Sequence, residues 1–263
     1  MKVIRQELSR NLKTLEIHTF ADLHIGDRHT DLNLIKERIK RVAEKDNAYC
    51  ILNGDLLNNA TKTSISDTYA EDIPPMEQIM LAVELFEPIK HKILCLNSGN
   101  HECRTYNKEG INLTEVVARQ LGLYDKYSAT ASFLFLRFGE SSGLKENITG
   151  KPRKLAYTIY SMHGSGGGRK EGAKANKLGE MAGIIDSDIY IHSHTHLPMI
   201  FKQAYFRVDN RNKKVSSVDK LFVNTGATLD YGGYGEAFAF KPASKETPII
   251  LLNGTRKYMT ATL

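Results

Sequence analysis

Apolar residues follow two rhythms along the first half of the chain. Short, mostly apolar runs at residues 15–20, 49–53 and 92–97 have the length of strands. Between them, apolar positions recur every three or four residues, the spacing of one helix face. Leu34, Ile35, Ile39, Val42 and Ala43 form such a stripe on a helix expected over residues 32–44. Pro74 and Pro75 open a second helix, running through Ile79, Met80, Val83 and Leu85 to about Lys90; proline suits a first helical turn because the N–H it lacks has no intrahelical partner there. A third helix covers residues 113–121. Strands alternating with helices predict parallel βαβ units in this half.

The second half is richer in strands, expected at residues 133–138, 155–162, 189–192, 199–208, 221–224, 238–240 and 249–252, with one helix near 173–185. Residues 139–153 have no periodicity and read as an exposed loop. Residues 58–73 form a second long polar stretch, and a loop of that length is a candidate for part of a substrate rim.

Composition narrows the class. The chain has 263 residues, 41% hydrophobic and 25% charged, without repeats, low-complexity tracts or a Pro/Gly/Ser linker, which suits a single domain over residues 1–263. Cys50, Cys95 and Cys103 are too few and too scattered for a disulfide framework or a CxxC zinc site, and they fit a reducing compartment. No stretch reaches about eighteen apolar residues and no signal-peptide core is visible, so a cytoplasmic protein with no membrane partner is expected. A formal charge of +6 permits a polyanionic partner, nucleic acid or nucleotide included, but solubility explains so mild an excess equally well.

Chemistry concentrates at five strand exits: Asp22-Leu23-His24, Gly54-Asp55, Gly99-Asn100-His101-Glu102, Met162-His163-Gly164 and His194-Thr195-His196. The carboxyl ends of strands are where α/β sheets gather ligands. Carboxylate and amide oxygens mixed with imidazoles suit manganese, iron, zinc or nickel, whereas an all-oxygen set would suit magnesium or calcium. Taken alone, each motif has an ordinary structural reading: Gly-Asp is a common turn pair, and His-x-His on a strand is usually two residues sharing a face. Five motifs in order, each at a strand exit and together using five of the nine histidines, have no such reading.

The order D-x-H, G-D, G-N-H-E, H-G and H-x-H over residues 22–196 resembles the calcineurin-like metallophosphoesterase superfamily, in a bacterial or phage-type form. The resemblance implies an α/β fold, a four-layer αββα sandwich whose two sheets meet beneath a site for two divalent cations, manganese foremost with iron, zinc or nickel as alternatives. Carried onto this chain, the first ion would take Asp22, His24, Asp55 and His196. The second would share Asp55 and add Asn100, His163 and His194. The ions would clamp phosphate oxygens and activate water for in-line attack. His101 would bind no metal; it would stabilise the transition state or protonate the leaving oxygen, with Asp22 helping to orient it.

Substrate class is less determined. The sequence Gly54-Asp55-Leu56-Leu57-Asn58-Asn59 lacks the arginine of the G-D-x-V-D-R-G motif of phosphoprotein phosphatases. The D-L-H-I-G and G-D-L segments look more like the DNA-repair exonuclease branch, although that branch usually carries GNHD and an added capping region. The phosphate-ester substrate is therefore read as a diester, with a nuclease included. Alternatives are a phosphomonoesterase acting on nucleotides or phosphoproteins and a non-catalytic binding or scaffold member. Arg104, Arg169 and Asn58 are candidate substrate contacts, Arg169 ending a glycine-rich loop after His163. Asn58 and Asn59 could also support ligands from behind. Ser193 stands where the family commonly has glycine, and should be tolerated with an added hydrogen bond. His192 reads as a packed or supporting histidine, His18 and His91 as structural, and His29 as undecided. Residues 231–236 read as a tight turn that could instead present aromatic faces to a base.

Overall fold

Side chains leave β2 (Thr14–Phe20) on both sides, Leu15 and Ile17 into one core and Phe20 into another. The computed structural model describes residues 1–9, 11–62, 64, 68–140, 155–166 and 168–263, so most of the loop expected over 139–153 lies outside the described residues. β2 is central in a six-stranded sheet ordered β12 (Met259–Thr262), β11 (Ile249–Asn253), β2, β3 (Ala48–Asn53), β4 (Ile93–Asn97) and β5 (Tyr127–Ser128). β2 to β5 run parallel and β11 is antiparallel to β2. The outer face of this sheet packs Cys50 and Leu52 against α1 (Leu32–Glu44), α2 (Pro75–Phe86) and α4 (Leu113–Gln120), through Ile35, Ile79, Phe86 and Val117.

The second sheet is ordered β1 (Lys2–Ser9), β6 (Ala131–Glu140), β7 (Leu155–Met162), β8 (Ile189–His192), β10 (Lys214–Asn224) and β9 (Met199–Asp209). β7, β8 and β10 run parallel, with β9 antiparallel at one edge. Leu134, Tyr157, Ile159, Ile191 and Val223 face Leu15, Ile17, Ile51 and Cys95 of the first sheet in an inter-sheet core. On the far side, Tyr190, Phe222 and Phe201 stack at centroid distances of 4.8 and 4.7 Å, and Leu178 of α5 (Glu171–Glu180) packs against the same cluster. Helices, sheet, sheet, helix is the four-layer αββα order that the motif resemblance implies.

Departures from the sequence reading have local causes. β1 contributes only Ile4 and Leu8 to a core, so its apolar alternation is weak and its pairing with β6 supplies the order. Lys92, expected in a strand, precedes β4; its Nζ donates to the carbonyls of Val42, Ala43 and Lys45 at 2.8, 3.2 and 2.7 Å. It thereby closes the C-terminus of α1, where a cation is favoured. Residues 238–240 form no strand. They fold back on the short helix α6 (Gly233–Ala237), with Ala239 at φ 52° and the Phe240 N–H donating to Gly235 O at 2.9 Å. A further helix, α3 (Asn100–Glu109), begins inside the G-N-H-E motif itself.

Candidate active site

Strand ends bring the motifs together. The backbone reverses sharply on leaving β2, β3 and β8, and it does so at the proposed ligands: Asp22, His24, Asp55, His194 and His196 all have positive φ, between 49° and 66°. A non-glycine residue in this region costs about 1–2 kcal/mol, so surrounding structure must hold it there. The Asp22 N–H donates to Gly54 O at 3.1 Å, the His24 N–H to Asp55 O at 3.0 Å, and the His194 N–H to Asp22 Oδ2 at 3.0 Å. At Gly99, a Cβ would lie 2.0 Å from Asp55 Oδ1, so only glycine lets the G-D and G-N-H-E loops close on each other.

Glu102, unassigned from sequence, organises this closure. Its carboxylate is fully buried and accepts from the N–H groups of Gly99, Asp55 and Leu57 at 2.9, 3.1 and 3.0 Å. It caps α3 and fixes the Asp55 loop together. Burial, and secondarily the charge of Asp55, push its pKa up to about 7 despite those donors.

The ligand atoms gather in two clusters that share a region. Asp22, His24 and His196 each offer a donor atom within 4.8 Å of the others, and so do Asp55, His163 and His194. Asn100 Oδ1 lies 3.1 Å from His163 Nε2, on the second cluster. A third grouping, His24, Asp55 and His101, joins the two. Asp55 Oδ2 lies 3.2 Å from His163 Nε2 and 3.7 Å from His101 Nε2.

These atoms fit divalent cations. Nε2 of His24 and Nε2 of His196 face each other at 3.4 Å, a distance at which both cannot be protonated without setting N–H against N–H. Asp22 Oδ1 is buried without a hydrogen bond, although His196 Nε2 stands 3.2 Å away. An unsatisfied buried carboxylate oxygen is costly, and a cation between these groups satisfies all of them. The donor set, imidazole with carboxylate and amide oxygen, suits first-row transition metals and zinc.

The electrostatics agree with this arrangement. Burial alone would raise the Asp55 pKa, but His163 and His101 outweigh it and hold the carboxyl well below its ordinary range. Asp22 is lowered likewise, burial being outweighed by His196 and His163. Burial opposes a charge on His163, yet Asp55 and then Asp22 raise its pKa to about 10. Burial lowers His24, His194 and His101, the last to about 4, and so opposes a proton on His101 at neutral pH.

Supporting residues lie behind the ligands. His163 Nδ1 donates to the Asn53 carbonyl at 2.8 Å, which turns Nε2 toward the cluster. The Asn53 side chain donates to Ser193 Oγ at 2.7 Å, the added hydrogen bond expected where the family has glycine. Asn53, Asn97 and Asn224 are each the last residue of a strand. That repeated strand-end asparagine is the sequence signal by which this floor could have been found. Asn224 Oδ1 accepts from His192 Nδ1 at 2.8 Å, so His192 is a packed, supporting histidine.

The substrate candidates separate. Asn58 is buried and its side chain donates to Glu71 Oε1 at 3.2 Å, so the contact expected between its amide and substrate is replaced by a structural one. Its carbonyl accepts from His101 Nδ1 at 2.7 Å, so this oxygen, not Asp22, orients the ring. Arg104 sits beside His101, with Nη2 2.9 Å from Nε2. Arg169 is exposed, stacks over Phe240 at 5.2 Å and donates to the Phe238 carbonyl at 3.3 Å, which ties the glycine-rich loop to the segment after α6. Lys174, not singled out from sequence, donates from α5 to the Thr195 carbonyl between the two histidines of His-x-His, at 2.8 Å.

The family model of the calcineurin-like phosphoesterases matches residues 20–198, more than half of the chain. The chain belongs to the calcineurin-like phosphoesterase family, one of metal-dependent phosphoester hydrolases, and the matched residues include two largely buried His/Asp clusters that could hold metal ions. No curated protein matches. Similar solved structures include vacuolar protein sorting 29 from Cryptosporidium parvum, 13% identical over 95% of this chain and 97% of that one, with a TM-score of 0.41. A metallophosphoesterase from Sphaerobacter thermophilus is 11% identical over 95% and 89%, TM-score 0.39. A nuclease MPE from Pseudomonas putida is 13% identical over 94% and 87%, TM-score 0.36. Among the described residues no helix is long and apolar enough to cross a membrane.

Proposed function

We propose that this protein hydrolyses phosphodiesters, nucleotides or nucleic acid being the substrate class, with two divalent cations. Asp22, His24, Asp55 and His196 would hold one ion, and Asp55, Asn100, His163 and His194 the other. Manganese is the first choice, with iron, zinc or nickel as alternatives. The observation that carries this reading is the place of Asp55 between the clusters, a buried carboxylate whose Oδ1 accepts from the His101 N–H at 2.9 Å while Oδ2 faces His163.

Two cations held there would supply positive charge to phosphate oxygens and lower the pKa of a bound water. The chain's own residues orient and exclude. Glu102 holds the Asp55 and Gly99 loops in register, Asn53 directs His163, and His101 stands against His24 at a ring-centroid distance of 4.4 Å, at the edge of the cluster. A diester is favoured over a phosphoprotein because Asn59 takes the place of the arginine in the phosphoprotein-phosphatase motif. It is buried, its Nδ2 donating to the His101 carbonyl at 2.7 Å, so position 59 supplies no guanidinium for a phosphomonoester dianion, and the one nearby, on Arg104, is engaged with His101 and with the Asn58 carbonyl. The convergence of both sheets on the ligands supports a single domain, and the two buried free thiols Cys50 and Cys95 support a reducing, cytoplasmic setting.

The test compares bis(p-nitrophenyl) phosphate with p-nitrophenyl phosphate in added manganese, followed by single- and double-stranded DNA. Faster turnover of the diester, lost on chelation, is expected. Faster turnover of the monoester overturns the diester reading, and failure to bind any of the four metals overturns the enzyme reading.

A further inference from the structure

The segment after Asp55 and the first turns of α3 face each other across His101, and their contacts fix where the proton of that ring sits. Nδ1 of His101 lies 2.7 Å from the Asn58 carbonyl oxygen, which only accepts, so Nδ1 carries hydrogen. Nε2 lies 2.9 Å from Arg104 Nη2, and a guanidinium only donates, so Nε2 offers its lone pair. A second proton on the ring would set N–H against N–H.

The guanidinium is itself anchored. Its Nη1 donates to the carbonyls of Asn58 and Asn59 at 3.1 and 3.4 Å. Asn59, at φ 44°, ties that segment back to α3, with Nδ2 donating to the His101 carbonyl at 2.7 Å and Oδ1 accepting from Thr105 Oγ1 at 3.0 Å. The Asn58 carbonyl thus serves His101 and Arg104 together. Nε2 is also 3.7 Å from Asp55 Oδ2, which puts the pair at the edge of the metal clusters.

We infer that Arg104 is a positioning residue that holds the His101 ring in its Nδ1–H tautomer by donating to Nε2, so that the guanidinium supplies the positive charge at this edge of the clusters. The inference rests on the phosphoesterase reading for its role in turnover, and on the hydrogen bonds alone for the tautomer.

Two readouts keep these apart. Long-range 1H–15N spectra of imidazole-labelled, zinc-loaded protein, with His101 assigned through H101N, report which ring nitrogen is protonated. The wild type and R104K should show His101 protonated at Nδ1, and R104M should shift it to Nε2–H or to a mixture. With bis(p-nitrophenyl) phosphate, R104M should lower kcat by about tenfold or more with KM within about twofold and unchanged metal content, and R104M/H101N should be no slower than H101N, since residues acting as a unit are not additive. An Nε2–H ring in the wild type, or a tautomer that R104M leaves unmoved, overturns the inference whether or not the protein turns over substrate. Additive losses in the double variant, or a loss confined to KM, overturn it by showing that Arg104 acts independently of His101. An inactive wild type with the tautomer shift present leaves Arg104 in its positioning role and removes the phosphodiesterase reading instead.

Discussion

The Asn53 amide and the Ser193 hydroxyl meet at 2.7 Å beneath the two His/Asp clusters, one at the end of β3 and the other just past β8, and the bond joins the two sheets. Asn53 also donates to the Met162 carbonyl at 2.8 Å and accepts from Asn97 Nδ2 and Ser161 Oγ, both at 2.8 Å. Both amide hydrogens and both carbonyl lone pairs are used in a fully buried position. Asn53→Ala should therefore lower stability by about 2–4 kcal/mol in urea unfolding, because it leaves several buried groups without partners. Ser193→Gly, which removes one of these bonds and a small buried side chain, should cost about 1–2 kcal/mol and spare metal binding. A change under about 0.5 kcal/mol for Asn53→Ala would remove the asparagine floor from the account of stability.

Metal stoichiometry separates the clusters. Asp55→Asn should empty both, since this carboxylate lies between them. His196→Ala should reduce occupancy at the Asp22 cluster, and His194→Ala at the Asp55 cluster, each leaving about one ion per chain on a two-ion assignment. Inductively coupled plasma analysis after gel filtration reads the ratio. Two full ions in Asp55→Asn would contradict a shared ligand.

Metal uptake should release protons. Against burial, Asp55 and Asp22 hold the His163 pKa up to about 10, so the metal-free protein should carry a second proton on this ring, at Nε2, at neutral pH. A cation must displace it, because only the neutral imidazole ligates. Apparent affinity should then rise with pH until the medium reaches that pKa. Titration calorimetry at pH 7.5 in buffers of different ionisation enthalpy should report about one proton released per chain. Heats that do not depend on the buffer would count against a protonated His163.

Glycines divide into two kinds. Gly99→Ala would push a methyl carbon to 2.0 Å from Asp55 Oδ1, and should abolish metal binding. Gly172→Ala and Gly179→Ala, both in α5 with nothing within 4 Å of the new carbon, should each raise stability by about 0.5–1 kcal/mol. Thermal unfolding and metal content together check both claims. A Gly99→Ala protein with normal metal content would show that the loops can relax.

The sequence exposes most of what burial controls directly. The stripe of Ile35, Ile39 and Val42 marked α1 to the residue, and the runs around Cys50 and Cys95 marked strands buried on both faces. The motif residues were legible because each is a metal-ligand type at a strand exit, and the fold brings all seven proposed ligands together. What escaped has pairing or polarity behind it. β1 is ordered by β6 more than by its own pattern, and Lys92 reads as strand until the open carbonyls of α1 are seen. Glu102 and Asn53 act through backbone groups distant in sequence, which no spacing rule reports. Asn58 looked like a substrate contact because it follows the G-D motif, and its pairing with Glu71 depends on how the segment after it folds back.

Each cluster draws on both sheets. Asp22, His24, Asp55 and Asn100 follow strands of the first sheet, whereas His163, His194 and His196 follow strands of the second. β2, which leads to Asp22, is also flanked by β11, near the far end of the sequence. During synthesis the early ligands therefore emerge long before the histidines that complete their sites, and before the neighbour that steadies their strand. On the two-ion assignment, a chain arrested before residue 194 would be largely translated and still hold neither complete ligand set, and one arrested before residue 196 would still lack the first.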